Sequence, residues 1–422
     1  MSKRYNIYDK NTMNKLSIID KYAARLLMVS FFLPMKLQVW AVMAVSVYFV
    51  SRTFTEKERI PRSNFVWALI LGSGYLLYLF SIPMTPVAYR AVLLTLCEHK
   101  VSFLLMPFVF AIITPRFGEL IRRELTWFVY VCFIVCVAGN AAFLYAHYFI
   151  NGDYHSLSHV VYRTNFYHYT GLHPTYMAMY LSFSICILLL SGEFNSRTEK
   201  IVKYALLYSM FIFSLALLAK SPLIALIIIF IHYSYVHRKT LYKYKILFAG
   251  LPAAVAAAWF FIPFVSQRIN EALQFFGYGK SGNVADNSVY ARKLIWSIDT
   301  GLLKDYWLTG IGPGRLIHAL HERYFFYSLC SDFPVAYYDP HNEYFYEWLS
   351  FGILGIVVFL GIFLVYLIKA IRVKDHLNLY LLIILYITFF TETVLSLQRG
   401  ILFYAVFTAM MFYPKPLKGL RL

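Results

Sequence analysis

The segment from 339 to 355, DPHNEYFYEWLSFGILG, places a histidine between helix-start residues and a long apolar run. Asp339 can cap a helix and Pro340 suits its first position, so we expect the helix to begin just before His341. A neutral imidazole there can accept a proton from a substrate hydroxyl, and a helix N-terminus disfavours the protonated form. The alternative is a histidine that only satisfies local hydrogen bonds at a membrane interface.

Four charged side chains outside that segment are further candidates. Arg292 opens an amphipathic segment, and its guanidinium fork suits phosphate, although the adjacent Lys293 is typical of a solvated basic pair. Lys220 lies between two apolar runs with almost no loop, where a charge is costly unless it is functional or reaches the interface on its flexible stem. Glu392 and Arg399 lie near the ends of the last two apolar runs, where they either pair with each other or line a cavity.

The segment 151–171 is rich in histidine and tyrosine. His155 and His159 have the i, i+4 spacing of some metal ligands, but no glutamate accompanies them, so we expect no metal site there. Its aromatic side chains either stack on sugar rings or form a belt at the membrane interface. These residues are Tyr154, Tyr162, Phe166, Tyr167 and Tyr169.

Several catalytic signatures are missing from the sequence. The motifs GxxxxGK[ST], HExxH and GxSxG do not occur, which disfavours ATP-driven transport, zinc proteolysis and serine hydrolysis. The sequence also has no DxD motif to hold a sugar nucleotide through a metal. We therefore expect neither a metal nor a cofactor.

Long apolar runs must position the candidate residues. Hydrophobic residues make up 60% of the chain and charged residues only 14%, and runs of this length are typical of transmembrane helices. The formal net charge of +18 lies mostly in short segments between the runs, which fits membrane orientation better than nucleic-acid binding. We predict about twelve spans. They are centred in residues 21–35, 39–51, 65–82, 101–115, 126–150, 172–191, 204–218, 222–236, 246–264, 343–368, 377–394 and 401–413.

The basic residues also predict the topology. With the N-terminus in the cytoplasm, about two thirds of the Lys and Arg residues fall on the inner side, so both termini are expected there. The first helix is expected to act as its own insertion signal. Residues 1–264 then carry nine spans, residues 265–342 form a large outer loop, and residues 343–422 carry three spans and the tail.

The large outer loop is expected to be a folded cap, because it is rich in apolar and aromatic residues. Its segment 291–307 has the apolar spacing of a helix. The stripe consists of Leu294, Ile298, Leu302 and Leu303.

The histidine segment resembles the periplasmic-loop signature of the O-antigen ligase and O-antigen polymerase superfamily. That signature is a histidine and a small polar residue, nine further residues, then a glycine and, three positions later, a small residue. The matching residues are His341, Asn342, Gly352 and Gly355. A second part of the resemblance lies upstream, in Arg292, Trp296, Gly310, Gly312 and Gly314.

The resemblance implies an all-α polytopic enzyme of the bacterial inner membrane. It would move a glycan from undecaprenyl diphosphate to lipid A-core on the periplasmic face, without a metal. His341 would be the base, and Arg292, Lys220 and Arg399 would bind the diphosphate. Lys220 stands where the family has an arginine, so it keeps the charge but loses the fork. Supporting roles are expected for Asn342, Glu392, Gly352 and Gly355, the two glycines by letting another helix pack closely.

Three other functions stay open. A repeat-unit polymerase would use the same donor with another lipid-linked glycan as acceptor. A protein O-glycosyltransferase would be similar, although those chains tend to be longer at the C-terminus. A polysaccharide transporter or flippase would place charges along a central path, whereas here they cluster at the outer ends of the spans. The expected partners are the lipid-linked donor, a lipid A-core or glycan acceptor and membrane lipid, but not nucleic acid.

Overall fold

The computed structural model describes residues 16–150, 159–191, 196–239, 288–329 and 339–413, and these are almost entirely helical. A π-helical turn at Tyr145–Ile150 and a 3-10 turn at Val394–Ser396 accompany fifteen described α-helices. In chain order these are α1 Ile18–Ser30, α2 Met35–Thr55, α3 Arg62–Ser81, α4 Val87–Lys100, α5 Ser102–Arg123, α6 Leu125–Leu144, α7 His159–Thr170, α8 Pro174–Leu190, α9 Arg197–Leu217, α10 Lys220–Val236, α11 Ser288–Tyr306, α12 Pro313–Leu329, α13 Glu343–Arg372, α14 His376–Phe389 and α15 Gln398–Phe412.

The described helices make the chain a polytopic membrane protein. Six helical segments are long and apolar enough to cross a membrane, and a seventh results if the bent pair α7–α8 is one span. Eleven of the predicted runs coincide with helices, and the run at 246–264 lies outside the described residues. The prediction missed α4, because Arg90, Glu98 and Lys100 lower its hydropathy.

The helices α8 and α15 lie at the centre of the bundle. Nearly all of their side chains are buried, in contrast to the one-sided burial of the outer helices. A helix that is apolar all round is typical of the core of a large helical protein. Rings of Phe31, Phe128, Tyr180, Phe403 and Phe407 pack against one another there, mostly edge to face. The start of α15 extends from this closely packed centre.

Helices α11 and α12 form a cap that packs on the first turns of α13. Of the predicted stripe, Leu302 and Leu303 are buried, and Leu294 and Ile298 are partly buried. The buried cluster is completed by Ile295, Leu316, Leu320, Tyr324, Tyr346 and Leu349. The predicted helical cap is thus present in the described part of the long loop. We call the side of the bundle that carries it the cap face.

Helix α13 is broken at Gly352, whose φ of 63° and ψ of −151° are not helical. The backbone of the cap turn 308–312 lies in this break. The N–H and C=O groups of α13 that lose their helical partners at the break therefore form hydrogen bonds with the turn. Its bonds run from Ile311 N–H to the Leu349 oxygen (2.7 Å), from Gly312 N–H to the Ser350 oxygen (3.1 Å) and from Ile353 N–H to the Leu308 oxygen (3.3 Å). The cap is therefore joined to α13 by main-chain hydrogen bonds as well as by apolar packing.

Backbone carbonyl groups, and not another transmembrane helix, lie against Gly352 and Gly355. The prediction that these glycines let another helix pack closely is therefore wrong. A Cβ on Gly352 would lie 2.1 Å from the Leu308 carbonyl oxygen, so the cap turn needs a glycine there. A Cβ on Gly355 would lie 2.3 Å from the Glu347 carbonyl oxygen of the same helix. The sequence shows the need for small residues, but it does not show what approaches them.

Replacing Gly352 with Ala should therefore destabilise the protein by about 2–4 kcal/mol, since a positive φ and a backbone clash act together. The same change at Gly361, further along α13, meets no atom within 4 Å and is the matched control. Thermal unfolding in detergent compares the two variants. Equal melting temperatures for both would contradict this account of the break.

Candidate active site

The segment 390–397, between α14 and α15, organises the candidate site, and we call it the connector. Its threonine Thr391 donates a hydrogen bond from Oγ1 to Ser221 Oγ at 2.7 Å, at the start of α10. The Leu395 N–H donates to Glu343 Oε2 at 2.8 Å, at the start of α13. The connector is therefore fixed between two helix N-termini on the cap face.

His341 lies just before α13 and not inside it. The helix begins at Glu343, and the Asn342 side chain caps it by accepting two N–H bonds of the first turn. Asp339 instead accepts the His341 N–H at 2.9 Å and the Thr393 hydroxyl at 2.6 Å. The predicted helix start at Pro340 with Asp339 as its cap is wrong. The Asp339 carboxylate accepts a hydrogen bond from Thr393 of the connector and does not cap the helix.

Two features fix the orientation of the histidine backbone. His341 has a left-handed φ of 44°, which is uncommon for a residue with a side chain. The preceding carbonyl, that of Pro340, accepts a hydrogen bond from Trp296 Nε1 of the cap at 3.0 Å. A strained backbone held by surrounding contacts is typical of functional sites.

The imidazole of His341 faces a carboxylate that also binds a guanidinium. His341 Nδ1 lies 3.3 Å from Glu392 Oε2 and 3.4 Å from Asp339 Oδ1. Arg292 Nη2 donates to the other oxygen of Glu392, Oε1, at 2.7 Å, and Arg292 Nε donates to the Thr391 carbonyl at 3.0 Å. The side chains of His341, Glu392 and Arg292 are 20–28% exposed, so the array is reachable from solvent.

The array shifts both titrating groups toward their charged forms. Burial lowers the pKa of His341, but the hydrogen bond to Glu392 and the charge of Asp339 raise it above its ordinary value. Burial likewise opposes ionisation of Glu392, but His341 and Arg292 lower its pKa to about 2. The expectation that the helix N-terminus keeps His341 neutral is wrong, since two carboxylates lie within 3.4 Å of its Nδ1.

This geometry resembles the histidine–carboxylate arrangement of general-base catalysis. A carboxylate that accepts the Nδ1–H selects the tautomer with its lone pair on Nε2 and stabilises the imidazolium that forms on protonation. Arg292 holds the carboxylate from the opposite side. The three residues can thus orient a base and accept a proton at Nε2.

The remaining predicted cations are the first residue of α10 and the second residue of α15. Lys220 is the first residue of α10, beside the connector, and is half-buried. Arg399, at the start of α15, donates from Nη1 to the Phe31 carbonyl at 3.4 Å. Of the two alternatives for Glu392, pairing with Arg399 is not observed, because Glu392 binds Arg292 and His341 instead.

Sequence reasoning missed a buried ion pair at the first turns of α13. Lys100 Nζ lies 3.2 Å from Glu347 Oε1, and the Tyr78 hydroxyl donates to that oxygen at 2.8 Å. Lys100 also donates to the Tyr78 oxygen at 2.6 Å, so α3, α4 and α13 meet in one polar cluster. The signal in the sequence was Glu347 itself, because a glutamate inside an apolar run indicates a buried partner for its charge.

The histidine-rich segment gives no metal centre in the part that the structure describes. No group of three or more His, Cys, Asp or Glu side chains is placed to hold an ion among those residues. His155 lies outside them, and so does the side chain of His159. The suggested pair is therefore not tested by the structure.

Comparison with known proteins gives one family match, over part of the chain. A family model described as O-Antigen ligase matches residues 204–360. A search among curated proteins gives no match. The matched range contains Lys220, Arg292 and His341, whereas Glu392 and Arg399 follow it in the chain. The resemblance seen in the sequence is confirmed over this range: residues 204–360 of this membrane protein are similar to the O-antigen ligase family.

Proposed function

We propose that this protein transfers a glycan from undecaprenyl diphosphate to a lipid A-core acceptor, with His341 as the base. The observation that carries the proposal is the hydrogen-bonded array of His341, Glu392 and Arg292 on the cap face, within and next to a ligase-family domain. The family match supports a ligase-type or polymerase-type membrane enzyme. The donor, the acceptor and the residue roles are our proposal.

The reaction needs one base and a stabilised leaving group. His341 Nε2 takes the proton of an acceptor hydroxyl while the hydroxyl oxygen attacks the anomeric carbon of the donor. The bond from that carbon to the diphosphate oxygen breaks, and its electron pair leaves with the lipid diphosphate. Glu392 stabilises the imidazolium through Nδ1. A single base without a carboxylate nucleophile at the carbon gives a direct, inverting displacement.

Cationic side chains can offset the charge that develops on the departing diphosphate. Arg292 is fixed by Glu392 and the Thr391 carbonyl, so its guanidinium plane is oriented before substrate binds. Lys220 borders the connector and Arg399 follows it in the chain. We propose that these three residues bind the diphosphate, and Lys220 does so as a point charge without the arginine fork. A lipid diphosphate is already a good leaving group, so the mechanism requires no metal.

The topology that goes with this mechanism puts the cap in the periplasm. We propose about twelve spans in the bacterial inner membrane with both termini in the cytoplasm, supported by the excess of basic residues on the inner side. Residues 1–264 would form nine spans, residues 265–342 the periplasmic loop, and residues 343–422 the last three spans and the tail. His341 then lies at the periplasmic surface, where a lipid-linked diphosphate is reached.

Reconstitution into liposomes tests the function. Purified protein is supplied with undecaprenyl-diphosphate-linked glycan and either lipid A-core or a second lipid-linked repeat unit, with and without EDTA. We expect glycan on lipid A-core at the same rate in EDTA. A product that lengthens on the lipid carrier would instead identify a polymerase. If no new glycosidic bond forms with either acceptor but glycan crosses the bilayer, the transferase proposal is wrong and the protein is a transporter.

A further inference from the structure

The bend between α7 and α8 brings three side chains together. The two helices meet at 76°, and Gly171 makes the turn with a φ of +64°. Arg399 Nη2 lies 3.9 Å from where a Cβ on Gly171 would be, so the guanidinium packs against the bend. Tyr167 and His173 flank the same turn, with ring centroids 6.3 Å apart.

The aromatic residues of α7 separate into two groups. Tyr162 and Phe166 are 4% and 0% exposed and belong to the core of the bundle. Tyr167 is 52% exposed, and Tyr167 and Arg399 lie close enough to interact electrostatically. Tyr169 is also exposed, at 41%, but its ring contacts that of His168. One exposed ring of α7, that of Tyr167, therefore faces the cationic side of the bend.

His173 presents a defined hydrogen-bond donor there. It is the N-cap of α8, and its Nδ1 accepts the Thr175 N–H at 3.3 Å. An accepting Nδ1 carries no proton, so the proton of the neutral ring lies on Nε2. The charges of Glu392, His341 and Arg292 act on this imidazole, so it lies within electrostatic range of the array. The residue is exposed to solvent.

We propose that Tyr167, His173 and Arg399 form a sugar subsite adjoining His341, for a pyranose that carries or neighbours a phosphate. The Tyr167 ring covers the apolar face of the sugar, while His173 Nε2–H and the Arg399 guanidinium donate to hydroxyl and phosphate oxygens. This chemistry is shared by the phosphate-linked sugar of the donor and by a phosphorylated sugar of the acceptor. The inference rests on the proposed glycan transfer and adds the place where one sugar is held.

Three substitutions at Tyr167 test the subsite in the liposome assay, with Tyr169→Ala as the matched control. We expect Tyr167→Ala and Tyr167→Leu to raise the KM of one substrate by about tenfold, which corresponds to the loss of about 1.4 kcal/mol of stacking. Tyr167→Trp should keep a KM close to the original, and Tyr169→Ala should change neither KM. A higher KM for the lipid-linked donor assigns the subsite to the donor sugar, and a higher KM for lipid A-core assigns it to the acceptor.

The alternative role for Tyr167 is an interfacial aromatic belt, where an apolar side chain serves equally well. Full activity of Tyr167→Leu, or equal losses in Tyr167→Ala and Tyr169→Ala, would overturn the subsite while the transferase function stands. If the original protein transfers no glycan at all, binding of lipid-linked glycan and of free core oligosaccharide is measured without turnover. Weaker binding confined to the Tyr167 variants supports the subsite, and equal binding overturns it.

Discussion

His341→Asn should reduce glycan transfer by about a thousandfold, because an amide cannot accept the proton that the imidazole takes. Asparagine is the preferred substitution for this test. His341 has a φ of 44°, and asparagine is tolerated in left-handed backbone better than alanine is. The rate is measured in liposomes with lipid-linked glycan and lipid A-core at saturating concentrations.

The control for His341→Asn is His318→Ala, on the exposed side of the cap helix α12. Its activity should equal that of the original protein, and both variants should insert and melt alike. A fully active His341→Asn protein with normal melting would remove the histidine from the chemistry. It would leave His341 as a structural residue at the start of α13.

Glu392→Gln should lower the maximal rate by about a hundredfold, because the imidazolium loses the charge that stabilises it. The change also removes the ionic partner of Arg292, so the guanidinium loses part of its orientation. Glutamine has the same shape as glutamate, which keeps the packing of the connector intact. The Glu392→Asp variant keeps the charge on a shorter arm and should lose less activity.

The pH profile separates an electrostatic role of Glu392 from a structural one. The base acts when neutral, so transfer should rise with pH through the pKa of His341, which lies above the ordinary 6.5. Glu392 raises that pKa, so its removal should move the acid limb to lower pH. An acid limb that stays in place, with a lower melting temperature, would show that Glu392 only holds the connector.

Local sequence identifies the elements and the central residue of the site. Apolar runs locate the helices, and the histidine with its two glycines locates the start of α13. The loop helix was expected from 291 and begins at Ser288, within the usual uncertainty of a helix end. These features depend on neighbours in the chain, so pattern and spacing are sufficient for them.

The contacts that convert these residues into a site are distant in sequence. Asp339 and Asn342 are both good cap residues, but Asp339 accepts the His341 N–H and the distant Thr393 hydroxyl, and Asn342 caps the helix. Glu392 has Arg399 seven positions away, yet it binds Arg292, 100 positions away. Such choices follow from how helices pack, and no local propensity encodes them.

The break at Gly352 also bears on how far His341 lies from the hydrocarbon region of the bilayer. Residues 353–372 rise by about 30 Å, which matches the hydrocarbon thickness of a bilayer, so this part of α13 is sufficient to span it. Residues 343–351 add at most about 14 Å beyond that boundary. On the proposed topology, the eleven positions from His341 to Gly352 thus set the height of the histidine above the hydrocarbon. The proposed base then lies at the level of the lipid headgroups, where the phosphates of a lipid carrier lie.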